Sequence, residues 1–317
     1  MRFKLRELKI MNISRKEFVL GAAAATVMPV MADVAKASPF DLKAFQAAID
    51  KYPASEYVEY LKADTATVKA SLVSKPNVVV AKLESAFDEI LEGVKTTAVT
   101  DRPAVWMLYN MGIVVKTREA CFGIDIVHRR AKELAPYFDF MLITHNHGDH
   151  CNEELYAAMN KSGKTVISNF KDNYGVKNWK RDGGFTRAKK TFKIKDVEVT
   201  TMLVDHNDYL IDYTTAFEIK VGDFTLVHSG DCFSVDKINP ACANPDIWVV
   251  HPCCGIKTEE GVKKLNPKLT AICHVCELGH KGWRVPWELG YKVKGWVEAA
   301  GYKAAVPMWG ERIDNII

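Results

Sequence analysis

The sequence predicts a layered α/β domain behind a helical extension, and three observations carry that prediction. Leu83, Phe87, Ile90, Leu91 and Val94 repeat on one face of a 3.6-residue helix. From Pro103 onward the texture changes to short β-rich runs interleaved with brief helical stretches. Among these runs stands Thr144-His145-Asn146-His147-Gly148-Asp149-His150, directly behind the apolar run Phe138-Asp139-Phe140-Met141-Leu142-Ile143. Of the 317 residues 48% are hydrophobic and 26% charged, enough for a sizeable core and unlike a disordered chain.

Taken in order, residues 1–37 read as an address label. A basic start leads to Ser14-Arg15-Lys16-Glu17-Phe18, an apolar stretch over 18–32, and Ala35-Lys36-Ala37 before Ser38, which fits an A-x-A cleavage site. The Ser-Arg-Lys-x-Phe arrangement resembles a twin-arginine export signal with Lys16 in place of its second arginine. That resemblance implies an exported, periplasmic protein whose first partner is the twin-arginine machinery, which carries proteins already folded. The apolar stretch is shorter than the ~20 residues that span a bilayer comfortably. An uncleaved anchor is the alternative to a cut signal.

Residues 38–102 form the helical extension, with helical texture over 40–97. Residues 103–317 form the main domain. Its strands are expected over 104–108, 113–116, 121–126, 138–144, 165–168, 197–203, 215–221, 224–229, 247–251, 269–274 and 304–308. Helices are expected over 129–134, 152–160 with Asn152 as N-cap, 259–265 and 285–300. There is no internal repeat.

The formal net charge is +4, and it resides in the first 37 residues, where seven basic side chains face three acidic ones. The rest is neutral, so nothing in the overall charge calls for nucleic acid as a partner. The run Arg181, Arg187, Lys189, Lys190, Lys193 and Lys195 reads as the solvated face of strands. Eight cysteines would suit disulfides in an oxidising compartment, but Cys253 and Cys254 are adjacent, and Cys151, Cys232, Cys273 and Cys276 lie within two positions of candidate ligands. They read as small buried apolar residues, with tuning of a metal site as the alternative.

The histidine cluster crowds four ligand side chains into six positions. On an extended segment His145 and His147 would face the same way and grip one ion, and the following turn would bring Asp149 and His150 to a second. Imidazole nitrogen and carboxylate oxygen are both good ligands for zinc and its first-row neighbours. Four further histidines compete for a role. His251 and His280 are read as lining a substrate pocket, His228 as facing the core, and His128 as having no evident partner. Trp283, Trp287 and Tyr291 stand at helical spacing and read as core, with a pocket wall as the alternative.

A histidine cluster opening a helix after a buried strand resembles the metallo-β-lactamase superfamily, over nearly all of residues 103–317. The resemblance implies a four-layer αββα sandwich. It also implies that His206 in Val204-Asp205-His206 is the third histidine of one ion, that Asp231 in Ser229-Gly230-Asp231 bridges both, and that His274 completes the second site. Asp125 in Gly123-Ile124-Asp125-Ile126 matches the family's buried structural aspartate. Glu277-Leu278-Gly279-His280 with Trp309-Gly310-Glu311 resembles the ascorbate-6-phosphate lactonase branch.

The resemblance therefore leads to the expectation of a dinuclear metal-dependent hydrolase holding His145, His147, Asp149, His150, His206, Asp231 and His274 around two divalent cations, zinc first, with manganese or iron as alternatives. A metal-bridging hydroxide would attack an ester, lactone or phosphodiester of a small-molecule substrate, and Asp149 would orient it and carry a proton to the leaving group. The neutral body argues against a tRNA-processing nuclease, and a bridging Asp231 against a true β-lactamase. The alternatives are an iron-dependent oxidoreductase on the same scaffold and a catalytically silent exported metal-binding protein.

Overall fold

A computed structural model describes residues 41–168, 179–181, 189–253, 256–280 and 284–317. The expected export signal, Cys254 and Trp283 lie outside the described residues. Four helices come first: α1 (Leu42–Lys51), α2 (Ala54–Lys62), α3 (Thr65–Ser74) and α4 (Val78–Thr96). The helical texture over 40–97 is divided by its own punctuation. Pro53, which has no N–H to donate, precedes α2. The Asp64 side chain caps α3 by accepting from Thr67 N, and Asn77 caps α4 by accepting from Val79 N and Val80 N. Helix α4 buries Val79, Leu83, Phe87, Ile90 and Val94, one apolar stripe.

A buried polar network fastens this extension to the domain. Glu84 on α4 accepts from Arg129 Nε and Nη2 at 2.7 and 2.5 Å and from the Tyr60 hydroxyl at 2.7 Å. His128, expected to lack a partner, has several. Its ring stacks on Phe87 at 4.4 Å, its Nδ1 accepts from Arg130 N, and its Nε2 therefore donates to Tyr60 Oη at 2.7 Å.

The first sheet runs in chain order through β1 (Ala104–Met107), β2 (Ile113–Lys116), β3 (Cys121–Ile124), β4 (Phe140–Leu142), β5 (Thr165–Ser168) and β6 (Trp179–Arg181). The second runs through β7 (Thr191–Ile194), β8 (Val197–Val204), β9 (Thr214–Val221), β10 (Phe224–His228), β11 (Ile247–Val250), β12 (Leu269–Ile272) and β13 (Ala304–Ala305). Each sheet begins antiparallel and becomes parallel, from β3 in the first and from β10 in the second. Parallel neighbours need crossovers, and helices α5 (Glu153–Lys161), α6 (Thr258–Leu265) and α7 (Trp287–Ala299) supply three of them. Val105, Met107 and Phe122 of the first sheet and Phe217, Leu226 and Trp248 of the second belong to one hydrophobic cluster. Trp287 lies in the same core, 1% exposed.

Several strands stop sooner than their apolar runs suggest. Those expected to reach 126, 144, 229 and 274 end at Ile124, Leu142, His228 and Ile272. In three of these the cause is local backbone geometry: Asp125, Gly230 and His274 have φ of 50, 54 and 58°, left-handed values that break the ladder just beyond the strand. The stretch expected as a strand over 304–308 pairs for only two residues. The chain then returns to the first sheet, where Gly310 N bonds Met107 O, Met107 N bonds Glu311 O, and Ile313 N bonds Val105 O. Lys193 and Lys195 are exposed around the half-buried Phe192 and Ile194, a solvated strand face as expected. The seven described cysteines are all free thiols, and no described helix is long and apolar enough to cross a membrane.

Candidate metal centre

The centre forms where β4, β8, β10 and β12 end, one ligand-bearing turn after each strand. Beyond β4 the chain bends and turns, with His150 N and Cys151 N both bonding His147 O. His145 and His147 do come together, with ring centroids 4.4 Å apart, but by this turn and not by the alternation of an extended segment. The turn frees all four side chains to face one way, which a straight strand could not do.

Asp125 sets the orientation of two rings. Its carboxylate accepts from Thr144 N, Thr144 Oγ1 and His150 Nδ1 at 2.8, 2.7 and 2.8 Å. A hydroxyl has one proton, and Thr144 Oγ1 gives it to Asp125. His145 Nδ1, 3.0 Å from that oxygen, must then be the donor. Both histidines are thereby held with Nδ1–H outward and Nε2 turned to the site. A carboxylate behind a histidine is the usual way a protein orients and strengthens a metal ligand.

Five overlapping groups of potential ligands result among the described residues; two of them, His145 with His147 and His206, and Asp149 with His150 and His274, share no residue, and Asp231 forms others with His145 and His150 and with His251 and His274. Asp231 stands between the first two. Its Oδ1 is 3.3 Å from His150 Nε2, and its Oδ2 is 3.9 Å from His145 Nε2, 3.6 Å from His206 Nε2 and 3.6 Å from His274 Nε2. Asp149 Oδ2 lies 3.3 Å from His150 Nε2 and 3.1 Å from His274 Nε2. Nitrogen and oxygen ligands held about 2.0–2.2 Å from a tetrahedral cation stand about 3.3–3.6 Å apart, so these spacings suit a bound ion. His145 Nε2, His150 Nε2, His206 Nε2 and Asp231 Oδ1 are buried without a hydrogen-bond partner. Such atoms are costly to bury unless something meets them.

The electrostatics agree. Burial alone would push His150 down, but Asp231, Asp149 and Asp125 override it and hold its pKa well above the ordinary histidine value. Burial, followed by the neighbouring His150, drives His145 well below it. Burial would raise Asp231, yet His150, His274 and His251 keep its carboxylate firmly ionised. A cation could displace the proton that this ring of carboxylates draws to His150.

The remaining histidines sort by tautomer. His251 stacks on His274 at 3.9 Å and its Nδ1 accepts from Cys253 N, so its neutral ring carries the proton on Nε2, opposite to His145 and His150. That makes it a donor beside Asp231. His228 is fully buried between Met111 O and Gly230 N, a core residue as expected. His280, 47% exposed, sits at the edge of the Asp149 group with Glu277. The thiols of Cys232, Cys273 and Cys276 bond Ser234 O, Met107 and Gln46, away from the candidate ligands.

Sequence reading missed Asn110, Asp205 and Tyr213, and gave Glu277 no role beyond its place in a motif. Asn110 Nδ2 donates to Asp149 O and Oδ2 at 3.2 and 3.1 Å, while its backbone carbonyl accepts from His274 N. Asp205 anchors the turn before His206 through Lys237, Ser234 and Asp212 N. The Tyr213 ring stands 5.6–6.1 Å from those of His147, His145 and His206, and its hydroxyl bonds Asn146. Glu277 alone of these stands in a motif read from the sequence, Glu277-Leu278-Gly279-His280, which gives it no role of its own.

Residues 114–270 match the family described as Beta-lactamase superfamily domain, a span that contains six of the seven candidate ligands and stops before His274. The metallo-β-lactamase fold protein YhfI from Bacillus subtilis superposes with a TM-score of 0.51 at 14% identity, over 66% of this chain and 98% of that one. This is a metallo-β-lactamase fold. Igni18, a metallo hydrolase from the hyperthermophilic archaeon Ignicoccus hospitalis, gives a TM-score of 0.51 at 18% identity over 67% of this chain and 97% of its own. A mutant of the CmlA beta-hydroxylase gives 0.50 at 16% identity over 66% and 53%. Among curated proteins none matches in sequence. The metallo-β-lactamase fold described here carries its four-helix extension in front of β1.

Proposed function

We propose that this protein is a dinuclear metal-dependent hydrolase of a small-molecule ester, lactone or phosphodiester. The observation that carries the reading is the set of partnerless buried nitrogen and oxygen atoms around Asp231. His145, His147 and His206 would hold one divalent cation, and Asp149, His150 and His274 the other, with Asp231 serving both. Zinc is the first candidate for this donor set, and manganese and iron also take it. When bound, such a pair of cations supplies Lewis acidity toward a carbonyl or phosphoryl oxygen and brings the pKa of water near neutrality. The chain's own part is to keep the ligands fixed through Asp125, Thr144 and Asn110, and to offer the His251 N–H to a substrate oxygen.

A β-hydroxylase among the structural neighbours supports a second reading, iron-dependent oxidation on the same scaffold. A silent exported metal-binding protein is the third. Protein loaded separately with zinc, manganese and ferrous iron, assayed for metal per chain, hydrolysis of ester, lactone and phosphodiester panels, and oxygen uptake, distinguishes them. Two ions per chain with turnover of one hydrolytic class is the expected result. Oxygen uptake restricted to the iron form overturns it in favour of oxidation, and tight binding without turnover overturns it in favour of sequestration. Export is proposed alongside, resting on the cleavage-like Ala35-Lys36-Ala37, and the mass of the mature chain tests it.

A further inference from the structure

Between β12 and α7, two residues close to the candidate centre, His274 and Cys276, both take φ of 58°. A left-handed backbone is costly for a residue with a Cβ and persists only where surrounding bonds hold it. At His274 the bond comes from the domain, since its amide donates to Asn110 O at 2.9 Å. At Cys276 the helical extension takes part. The Cys276 amide donates to Val285 O at 2.6 Å, and its thiol to Gln46 Oε1 on α1 at 3.3 Å.

The same Gln46 oxygen holds the far end of this stretch. Pro286 precedes α7 without a side-chain acceptor, so the orphan Trp287 N–H that opens the helix is met from outside, by Gln46 Oε1 at 3.0 Å. Arg284 adds a second strap, donating through Nη1 to Ile49 O of α1 at 2.5 Å and through Nη2 to Leu278 O at 2.8 Å. On the domain side, Tyr109 Oη accepts from Leu278 N at 2.6 Å and donates to Glu277 Oε1 at 3.3 Å. Helix α7 in turn presses on the neighbour of His274. Gly290 approaches it so closely that a Cβ there would stand 2.9 Å from Val275 Cγ1. Helix α1 is itself anchored, with Phe45 buried edge-on against Trp309 at 5.5 Å between ring centroids.

We infer that α1 of the extension completes the second cation position, with Gln46 and Arg284 as positioning residues for His274, an assignment that rests on the two-cation reading. One acceptor fixes the residue two places beyond His274 and the start of the helix packed against Val275. The first position draws on the domain instead. His145 is set through Thr144 and Asp125, and the turn before His206 through Asp205. Loosening α1 should therefore weaken one cation and spare the other.

Isothermal titration of the full-length apoprotein with zinc reads the two steps, and His274→Ala marks the second by abolishing it. Gln46→Met keeps the bulk of the side chain and removes the shared acceptor. It is expected to weaken the marked step about tenfold, the low end of what an outer partner of a metal ligand is worth, while the other step stays within about twofold. Arg284→Met is expected to act in the same direction. Asp50→Ala, which removes only the acceptor of Gln46 Nε2, is expected to leave both steps unchanged. Coupling between binding and clamping is reciprocal, so zinc should slow amide hydrogen exchange in α1 of the wild-type protein and not in His274→Ala. Should Gln46→Met fail to fold, Arg284→Met and the exchange comparison decide. Equal weakening of both steps, weakening of neither, or exchange in α1 indifferent to zinc overturns the assignment and leaves the two-cation reading intact. Wild-type protein that takes up fewer than two ions overturns both.

Discussion

Asp125 touches no cation position, yet it decides which nitrogen two histidines present to one. It acts directly on His150 and through Thr144 on His145. Carboxylates that buttress a metal-binding histidine in this way are worth about 10–100-fold in metal affinity. Asp125→Asn is expected to lower affinity by that factor with little change in the far-ultraviolet dichroism, as measured by competition with a chromophoric chelator. His280 gives a prediction in pH. Its bond to Glu277, only partly offset by burial, raises its pKa to about 9. A histidine raised above its unfolded value of about 6.5 stabilises the fold fully below that pH, and the contribution is lost as pH rises through about 9. Nuclear magnetic resonance titration of the His280 ring should move from about 9 toward 6.5 in Glu277→Gln. At this scale the sequence exposes what is local. Four ligand side chains within six positions can be read directly, whereas the bond from Thr144 to Asp125 closes over 19 residues and that from Tyr109 to Glu277 over 168. No spacing rule reaches so far.

Among the elements, helix α4 ties the extension to the domain. The stripe on its face was legible because its period is helical, but its tie to the domain was not. Glu84 sits within that stripe as a charge on an apolar face, and only the fold reveals that Arg129 and Tyr60 meet it. Removing one partner of a buried ion pair costs about 3–5 kcal/mol because the other charge is stranded. Glu84→Ala is expected to lose stability in that range by urea denaturation. Strand ends were the least legible feature. Gly230 has an evident reason for its residue type, since a Cβ there would lie 2.8 Å from Thr144 Cβ and the backbone is left-handed. Asp125 and His274 adopt the same conformation without being glycine, so nothing in their identity marks where the strands stop. These non-glycine residues in a rare backbone region lie at the candidate site, where surrounding bonds hold them.

Across the whole molecule, the two ligand groups draw on both sheets. His145, His147, Asp149 and His150 follow β4 of the first, while His206, Asp231 and His274 follow strands of the second. A cation in either group that also binds Asp231 would therefore fasten one sheet to the other. Stripping the ions with a chelator should lower the melting temperature, and returning zinc should restore it. A ligand at 100 times its dissociation constant adds about 2.7 kcal/mol, which sets the scale of the shift. The overall architecture was readable because its strands are apolar runs and its crossovers are helices. The C-terminal return to β1 was not, since residues 309–313 contain no strand pattern of their own.

Asn110 gives this arrangement a further property. It sits in the tight turn between β1 and β2, at φ 57°, where its side chain reaches Asp149 from one sheet and its carbonyl receives the His274 amide from the other. Glycine accepts that φ without strain. Asn110→Gly would thus spare the hairpin and every ligand while slackening the grip on Asp149. Isothermal titration with zinc should then show two steps drawn apart, the weaker one displaced and the tighter one unmoved. An engineer wanting mixed-metal occupancy would begin at this hairpin, outside the coordination sphere.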